Sequence, residues 1–346
     1  MLGFSRSRPP ASVSESPLTP FSVESPPRSL LERRLVIVTG KGGTGKTTVT
    51  AALAIAGARA GRRVLVAEMT PDEQIPGLIA PGSPASGYRG RSLRPRLASM
   101  HVDPFEALTE YLGLQIGSPG MVRRVLETRA FRQLMNAAPG WRELITLGKV
   151  WHLEQMQEAG APRYDLIVVD APATGHGVAF LNAPRVVVSA VRAGPLHRHS
   201  QLVEEMLEDP ERTLLLPVAL AEELPARETA ELVARVRADV GIAIDRVVVN
   251  AVAPRPFPPG LEELDRHLAA LPADLDLGGL PRPRTLAACA SFLRSRHELN
   301  RGYARQIGES TGLPIVELPY AMTGFEDPGA LDALGESLLA PPQEPA

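Results

Sequence analysis

Short, unbroken runs of apolar and β-branched residues punctuate the chain. Val36-Ile37-Val38-Thr39, Val64 to Ala67, Tyr164 to Asp170, Thr213 to Val218, Arg246 to Asn250 and Pro314 to Leu318 show no alternation of apolar with polar positions. Such runs predict strands covered on both faces. Stretches of helical composition lie between them: the alanine-rich Val49 to Ala60, then Arg227 to Ala238 and Thr285 to Glu309. Strands alternating with helices predict an α/β fold, a mainly parallel, doubly wound sheet with helices on both faces.

One interval departs from this rhythm. From Val102 to Glu158, Phe105, Leu108, Leu112 and Leu114, then Met121, Val125 and Leu126, recur at helical spacing, with Pro139-Gly140 as a break. This predicts a helical subdomain inserted at about 100–160. Its apolar faces at Leu108, Leu112, Leu126, Leu134 and Met135 read as helix packing. Further helices are expected at about 176–209, within a single domain spanning 33–340. The Ser-, Pro- and Arg-rich residues 1–32 read as a disordered extension, and 341–346 as a tail. Pro76 to Arg96, rich in Gly, Pro, Ser and Arg, reads as one mobile loop.

Composition narrows the function classes. With 346 residues, 44% of them hydrophobic, the chain can bury a large core, and its net charge of −2 implies no general pull toward nucleic acid or anionic membrane. The single cysteine, Cys289, leaves no intramolecular disulfide and no cysteine-cluster metal site within one chain. No apolar run is long enough to cross a bilayer, and the N-terminus lacks the apolar core of a secretory signal, so a cytoplasmic protein is expected.

The chemistry concentrates after the first run, where G-x-x-x-x-G-K-T spans Gly40 to Thr47. A strand runs into this turn and a helix leaves it, which is the setting of a phosphate-binding loop. Gly40, Gly42, Gly43 and Gly45 let successive N–H groups of the loop, through Thr44 to Thr48, turn toward phosphate oxygens. The helix opening at Lys46 adds its partly positive end. Lys46 is the candidate contact to the β- and γ-phosphates of ATP, and the Thr47 hydroxyl a candidate Mg²⁺ ligand. Asp170, closing its apolar run, is the second candidate for Mg²⁺. No internal repeat is present, so the chain carries one such half.

Lys41, directly after the first glycine, makes the loop resemble the deviant Walker A motif of the MinD, ArsA and nitrogenase-iron-protein branch. That resemblance implies a homodimer in which the extra lysine reaches the partner's nucleotide. Asp170-Ala171-Pro172-Ala173-Thr174-Gly175-His176 resembles the switch II signature D-T-A-P-T-G-H of the arsenite-pump ATPase family, which includes the guided-entry ATPases for tail-anchored proteins. His176 either senses the γ-phosphate or holds the loop. Val247 to Asn250 resembles the family strand whose terminal asparagine contacts adenine. Glu222-Glu223-Leu224-Pro225 with Glu228-Thr229, and Leu318-Pro319-Tyr320, resemble later family segments, so the likeness runs from Leu35 to Leu338.

The resemblance implies a Mg²⁺-dependent ATPase whose homodimer opens and closes with nucleotide state and acts on a protein client or membrane partner. Asn250 and Pro319 would flank adenine. Two departures qualify it. Thr70 stands where the family's switch I carries the aspartate that orients the attacking water, and a hydroxyl cannot take a proton as a carboxylate does. Glu68 or Asp72 could serve after a small shift in register. With Cys289 alone, neither an arsenite thiolate site nor a shared zinc clasp is expected. The rival readings are an ATP-binding adaptor with little turnover, a ParA/MinD-like positioning protein, and a small-molecule kinase or ligase.

Overall fold

A computed structural model describes residues 29–116, 118–129, 140–173, 177–258, 260–261, 263–321, 324 and 328–342. The apolar runs form β1 (Leu35–Gly40), β2 (Val64–Glu68), β7 (Leu166–Asp170), β8 (Thr213–Leu220), β9 (Val247–Val252) and β10 (Ile315–Pro319). Two strands join them from within the arginine-rich region, β3 (Arg91–Arg94) and β4 (Leu97–His101), while β5 (Gln157–Glu158) and β6 (Ala161–Pro162) pair apart as a short hairpin. The eight-stranded sheet runs β10-β9-β8-β1-β7-β2-β4-β3. Every pairing is parallel except that of β3 with β4. Chain order reverses beside β1, so the crevice at the carboxyl ends of β1, β7 and β2 is where a ligand is expected.

Side-chain alternation sends each strand into two cores. Val36, Val38, Val64, Val66, Leu166, Val168, Leu214 and Leu216 face α1 (Lys46–Arg59) and α11 (Pro328–Leu339). Leu35, Ile37, Leu65, Ala67, Ile167, Val169 and Leu215 face the other layer. That layer is built by α5 (Trp141–Gln155), α6 (Gly177–Ala190), α7 (Pro195–Glu208) and α8 (Glu223–Asp239). Both faces of the sheet are therefore dry, which is why the strand sequences lack a polar alternation. Gly335 lets α11 approach α1 closely, since a Cβ there would lie 2.8 Å from the Ala52 carbonyl oxygen.

The stretch Pro76 to Arg96 is not one loop. It begins within the short helix α2 (Ile75–Ile79) and ends beyond β3, and the Arg94 side chain donates to the Ile79 carbonyl oxygen at 3.0 Å. β4 occupies positions at which the helical subdomain was predicted to begin, and it pairs Val64 with Leu97 through Glu68 with His101. The helices of that subdomain are α3 (Pro104–Ile116), α4 (Pro119–Leu126) and α5. Leu108, Val122 and Leu126 make a small core there, with Leu112 packed against it; Leu134 and Met135 lie outside the described residues. Leu30, inside the span read as an extension, is 1% exposed and packs on the α1 face. Toward the C-terminus come α9 (Leu264–Ala269) and the long α10 (Pro283–Thr311), then α11, which was not among the predicted helices. No helix among the described residues is long and apolar enough to cross a membrane.

One buried carboxylate ties the helical layer to the sheet. Glu154, in the last turn of α5, accepts from Arg34 Nε at 2.8 Å and Arg212 Nη2 at 2.7 Å, at the starts of β1 and β8. Burial pushes its pKa up, but the two arginines outweigh burial and hold it below the usual carboxylate value. Glu154→Ala is expected to destabilise the fold by about 2–3 kcal/mol, at the low end for a broken buried pair because both arginines are partly exposed. The folded pKa is depressed, so this stabilisation is complete above the unfolded value of about 4.5 and fades as pH falls below it. Urea denaturation of wild type and Glu154→Ala at pH 7 and pH 4 checks both points.

Candidate active site

Three neighbouring strand ends set the site. In the parallel register Val38 of β1 and Glu68 of β2 both lie beside Asp170, the last residue of β7. Asp170 is fully buried, and its Oδ2 accepts from the Thr47 hydroxyl at 2.7 Å. Its Oδ1 is buried without a hydrogen-bond partner. Burial raises the Asp170 pKa from 3.8 to about 6, against the lowering effects of the Thr47 bond and the Lys46 charge. An unpartnered buried carboxylate oxygen is costly in a finished structure and calls for a cation or water.

The loop between β1 and α1 follows from its glycines. Gly40 has φ +153°, and a Cβ there would lie 2.2 Å from the Val218 carbonyl oxygen on β8. Gly45 has φ +87°, and a Cβ there would meet the Asn250 Nδ2 at 2.1 Å. That amide donates to the Thr44 carbonyl oxygen at 2.9 Å, so β9 clamps the loop from below. A Cβ at Gly43 would meet nothing within 4 Å, and one at Gly42 would lie 4.0 Å from the Ala173 Cβ. The Lys41 carbonyl oxygen accepts from Thr44 Oγ1 at 2.9 Å and from Lys46 Nζ at 3.0 Å. Burial lowers the Lys46 pKa, and Asp170 works against that shift. No side chain caps the first turn of α1 and no acidic residue sits in it, so its N–H groups face the loop's concavity with their dipole uncompensated. Thr48 is half-buried on that turn.

Lys41 does not extend freely. Its ammonium pairs with Glu228 Oε1 on α8 of the same chain, and Glu228 Oε2 is buried without a partner. On the other side of Asp170, Glu68 is 1% exposed and accepts from the Gln74 and Ile75 N–H groups at 2.6 and 3.4 Å. Burial raises its pKa. The Thr70 hydroxyl lies 3.2 Å from Glu68 Oε1 and 2.9 Å from the Asp72 carbonyl oxygen, and the Asp72 side chain is exposed. His101 Nε2 lies 2.9 Å from the Thr70 carbonyl oxygen and donates to it. Pro319, exposed at the end of β10, pairs with Val252 of β9 and lies one strand beyond the Asn250 clamp.

Thus Gly40 to Thr47, Asp170 and Asn250 converge, whereas Asp72 stays at the surface. Thr174 to His176 lie outside the described residues. Glu68, offered from sequence as a substitute for the switch I aspartate, has its carboxylate engaged by the Gln74 and Ile75 N–H groups, and Glu228 had no role assigned from sequence. Glu68 was detectable as an acidic residue closing an apolar run beside that of Asp170. Glu228 had no local signal for its contact with Lys41, 187 positions away.

The geometry fits Mg²⁺ and a nucleotide phosphate. The orphaned Asp170 oxygen and the Thr47 hydroxyl supply hard oxygen ligands, and the glycine loop and uncapped helix supply donors for anionic oxygens. Comparison with known proteins finds ATPases. A family model described as anion-transporting ATPase matches residues 33–202. The ATPase BagA of Mycobacterium tuberculosis is 32% identical over 334 residues, covering 90% of this chain and 94% of that protein. The arsenical pump-driving ATPase of Acidiphilium multivorum is 28% identical over 234 residues, 62% of this chain and 39% of the pump protein. The ATPase GET3 of Kluyveromyces lactis is 24% identical over 253 residues, 63% of this chain and 71% of that protein. With its phosphate-loop geometry and this end-to-end similarity, the chain belongs to the ArsA-type anion-transporting ATPase family.

Proposed function

We propose that the chain is a Mg²⁺-dependent ATP hydrolase that works as a homodimer, opening and closing with its nucleotide. The observation that carries this reading is the Thr47–Asp170 pair, with its second carboxylate oxygen buried and unpartnered above a glycine loop. Thr47 and Asp170 would hold Mg²⁺, which would neutralise charge on the phosphates. The loop amides of Gly42 to Thr48 and the Lys46 ammonium would hold the β- and γ-phosphates. Transfer of the γ-phosphoryl group to water is mostly positioning and charge stabilisation, so a rigid loop clamped by Asn250 suits it. Asn250 and Pro319 would border the adenine.

Glu68 would organise the loop from Thr70 to Ile75 beside the metal position, through the backbone N–H bonds it accepts. Loss of the γ-phosphate would relax that loop and the one at Thr174 to Gly177. The helical subdomain of α3 to α5 would carry the change to a client. A second reading, an ATP-gated adaptor with little turnover, rests on Thr70. Its hydroxyl is engaged by Glu68 and the Asp72 backbone, and no carboxylate stands at that position.

In the proposed closed dimer Lys41 leaves Glu228 and meets the partner's phosphates. Lys41→Ala is expected to abolish ATP-dependent dimerisation while leaving ATP affinity within about threefold, because exposed ion pairs contribute little to a single chain. Glu228→Gln is expected to favour the dimer at lower ATP. Analytical ultracentrifugation with and without Mg-ATP checks this, and an ATP-dependent Lys41→Ala dimer of wild-type affinity would contradict it.

A further inference from the structure

Away from the phosphate loop, helices α3, α5 and α7 enclose a cavity of about 520 Å³. That volume is in the usual range for small-molecule sites. Only 4% of the chain is aromatic and it holds two tryptophans, yet both, Trp141 and Trp151, line this one cavity. Tyr111 adds a third ring. His199 sits between two of these rings, with its centroid 5.1 Å from that of Tyr111 and 5.2 Å from that of Trp151, edge-on to the latter. Gly148 makes the room. A Cβ there would come within 2.8 Å of the His199 Nε2, so any larger residue would push the imidazole into the cavity.

The polar groups of the wall are unequal. Glu110 is fully engaged, accepting from Lys149 Nζ at 2.6 Å and from the Tyr88 hydroxyl, and Lys149 is 9% exposed in its side chain. This pair is neutral as a unit. Burial holds the His199 pKa below its ordinary value, which keeps that ring uncharged at neutral pH. Arg198, exposed at the edge of the same cavity, has no ion-pair partner among the described residues. The cavity therefore offers a wide aromatic and aliphatic wall with one uncompensated cation at its rim. A cationic ligand would meet that charge unfavourably, and a wholly apolar one would leave it unused.

We propose that this cavity binds an amphiphilic monocarboxylate, its apolar body against Trp141, Trp151 and Tyr111 and its carboxylate at Arg198. The site is distinct from the nucleotide loop, and its occupancy can be read without ATP. Burial of the apolar body would supply most of the affinity, and a charge-assisted bond to the guanidinium would set the preference for an anion.

Because both tryptophans line the cavity, intrinsic fluorescence of the full chain reports it directly. Titration with sodium decanoate below its micelle concentration is expected to give a saturable change in emission. Decyltrimethylammonium is expected to respond at concentrations at least about tenfold higher, the difference a hydrogen bond to a charged group provides. Arg198→Ala, at an exposed position that does not threaten folding, is expected to weaken decanoate about tenfold and leave the ammonium unchanged. Gly148→Leu, verified as folded by circular dichroism, is expected to abolish the response. The proposal is overturned by the absence of a saturable response to decanoate, or by equal responses to the two amphiphiles. Decanoate binding untouched by Arg198→Ala, or a response to apolar helical peptides alone, would overturn it as well.

Discussion

Lys46→Ala is expected to slow ATP hydrolysis by at least about 10²–10³-fold, the scale seen when one preorganised charge or donor is removed from a reacting oxyanion. Lys46 is 8% exposed, its ammonium held on the Lys41 carbonyl oxygen at 3.0 Å, with burial lowering its pKa. Its position is thus set before any phosphate arrives. The chain itself gains little from this lysine: the Lys41 carbonyl oxygen keeps the Thr44 hydroxyl at 2.9 Å when the ammonium is removed. Removing a partly desolvated ammonium also relieves a burial cost. Folding stability is therefore expected to hold within about 0.5 kcal/mol of wild type while activity collapses. Phosphate release and urea denaturation, measured side by side, check the pair of outcomes.

Asp170→Asn is expected to split function from stability in the opposite direction. Loss of the carboxylate removes the proposed Mg²⁺ ligand, and hydrolysis should fall by about 10²-fold or more. In the metal-free protein the same change should stabilise the fold. The native Asp170 pKa of about 6 stands above its ordinary 3.8, so between those values the folded state binds more protons than the unfolded one. Stability then declines as pH rises through that window, and above about 6 the whole cost is present. A shift of two units corresponds to about 3 kcal/mol. Asparagine keeps an acceptor for the Thr47 hydroxyl without the buried charge. In EDTA at pH 8, Asp170→Asn is expected to be more stable than wild type by up to about 3 kcal/mol, and near pH 4 the two should converge. A variant less stable than wild type at pH 8 would contradict the assigned environment. A functional residue that destabilises its own fold is an expected trade at an active site.

How far the sequence revealed this molecule follows from the range over which each signal acts. The buried strands were legible because runs such as Leu166-Ile167-Val168-Val169 carry β-branched residues with no polar alternation. β4 was not, since Leu97-Ala98-Ser99-Met100-His101 has no β-branched residue and follows a Gly- and Arg-rich stretch. Its strand character comes from the exposed edge of β2, which is a tertiary effect. α11 was missed although its buried Leu331, Leu334 and Leu338 recur at helical spacing, and Gly335 then lets the helix pack closely on α1. At the site, Lys46, Thr47 and Asp170 were each readable from a local motif, and the sheet brings them together. The Asn250 clamp on Thr44, the Lys41–Glu228 pair and the wall shared by α3, α5 and α7 depend on contacts between distant segments. Pattern within one segment cannot carry such contacts.

The proposed hydrolysis is tested most directly by a single-turnover experiment, with the wild-type chain in molar excess over γ-labelled ATP, with Mg²⁺ and with EDTA. Bound ATP is expected to be cleaved with Mg²⁺ and to persist uncleaved in EDTA. ATP that binds with Mg²⁺ and remains intact would contradict the proposed hydrolysis and leave the nucleotide-gated adaptor, with Thr70 in place of a switch carboxylate, as the function of the fold.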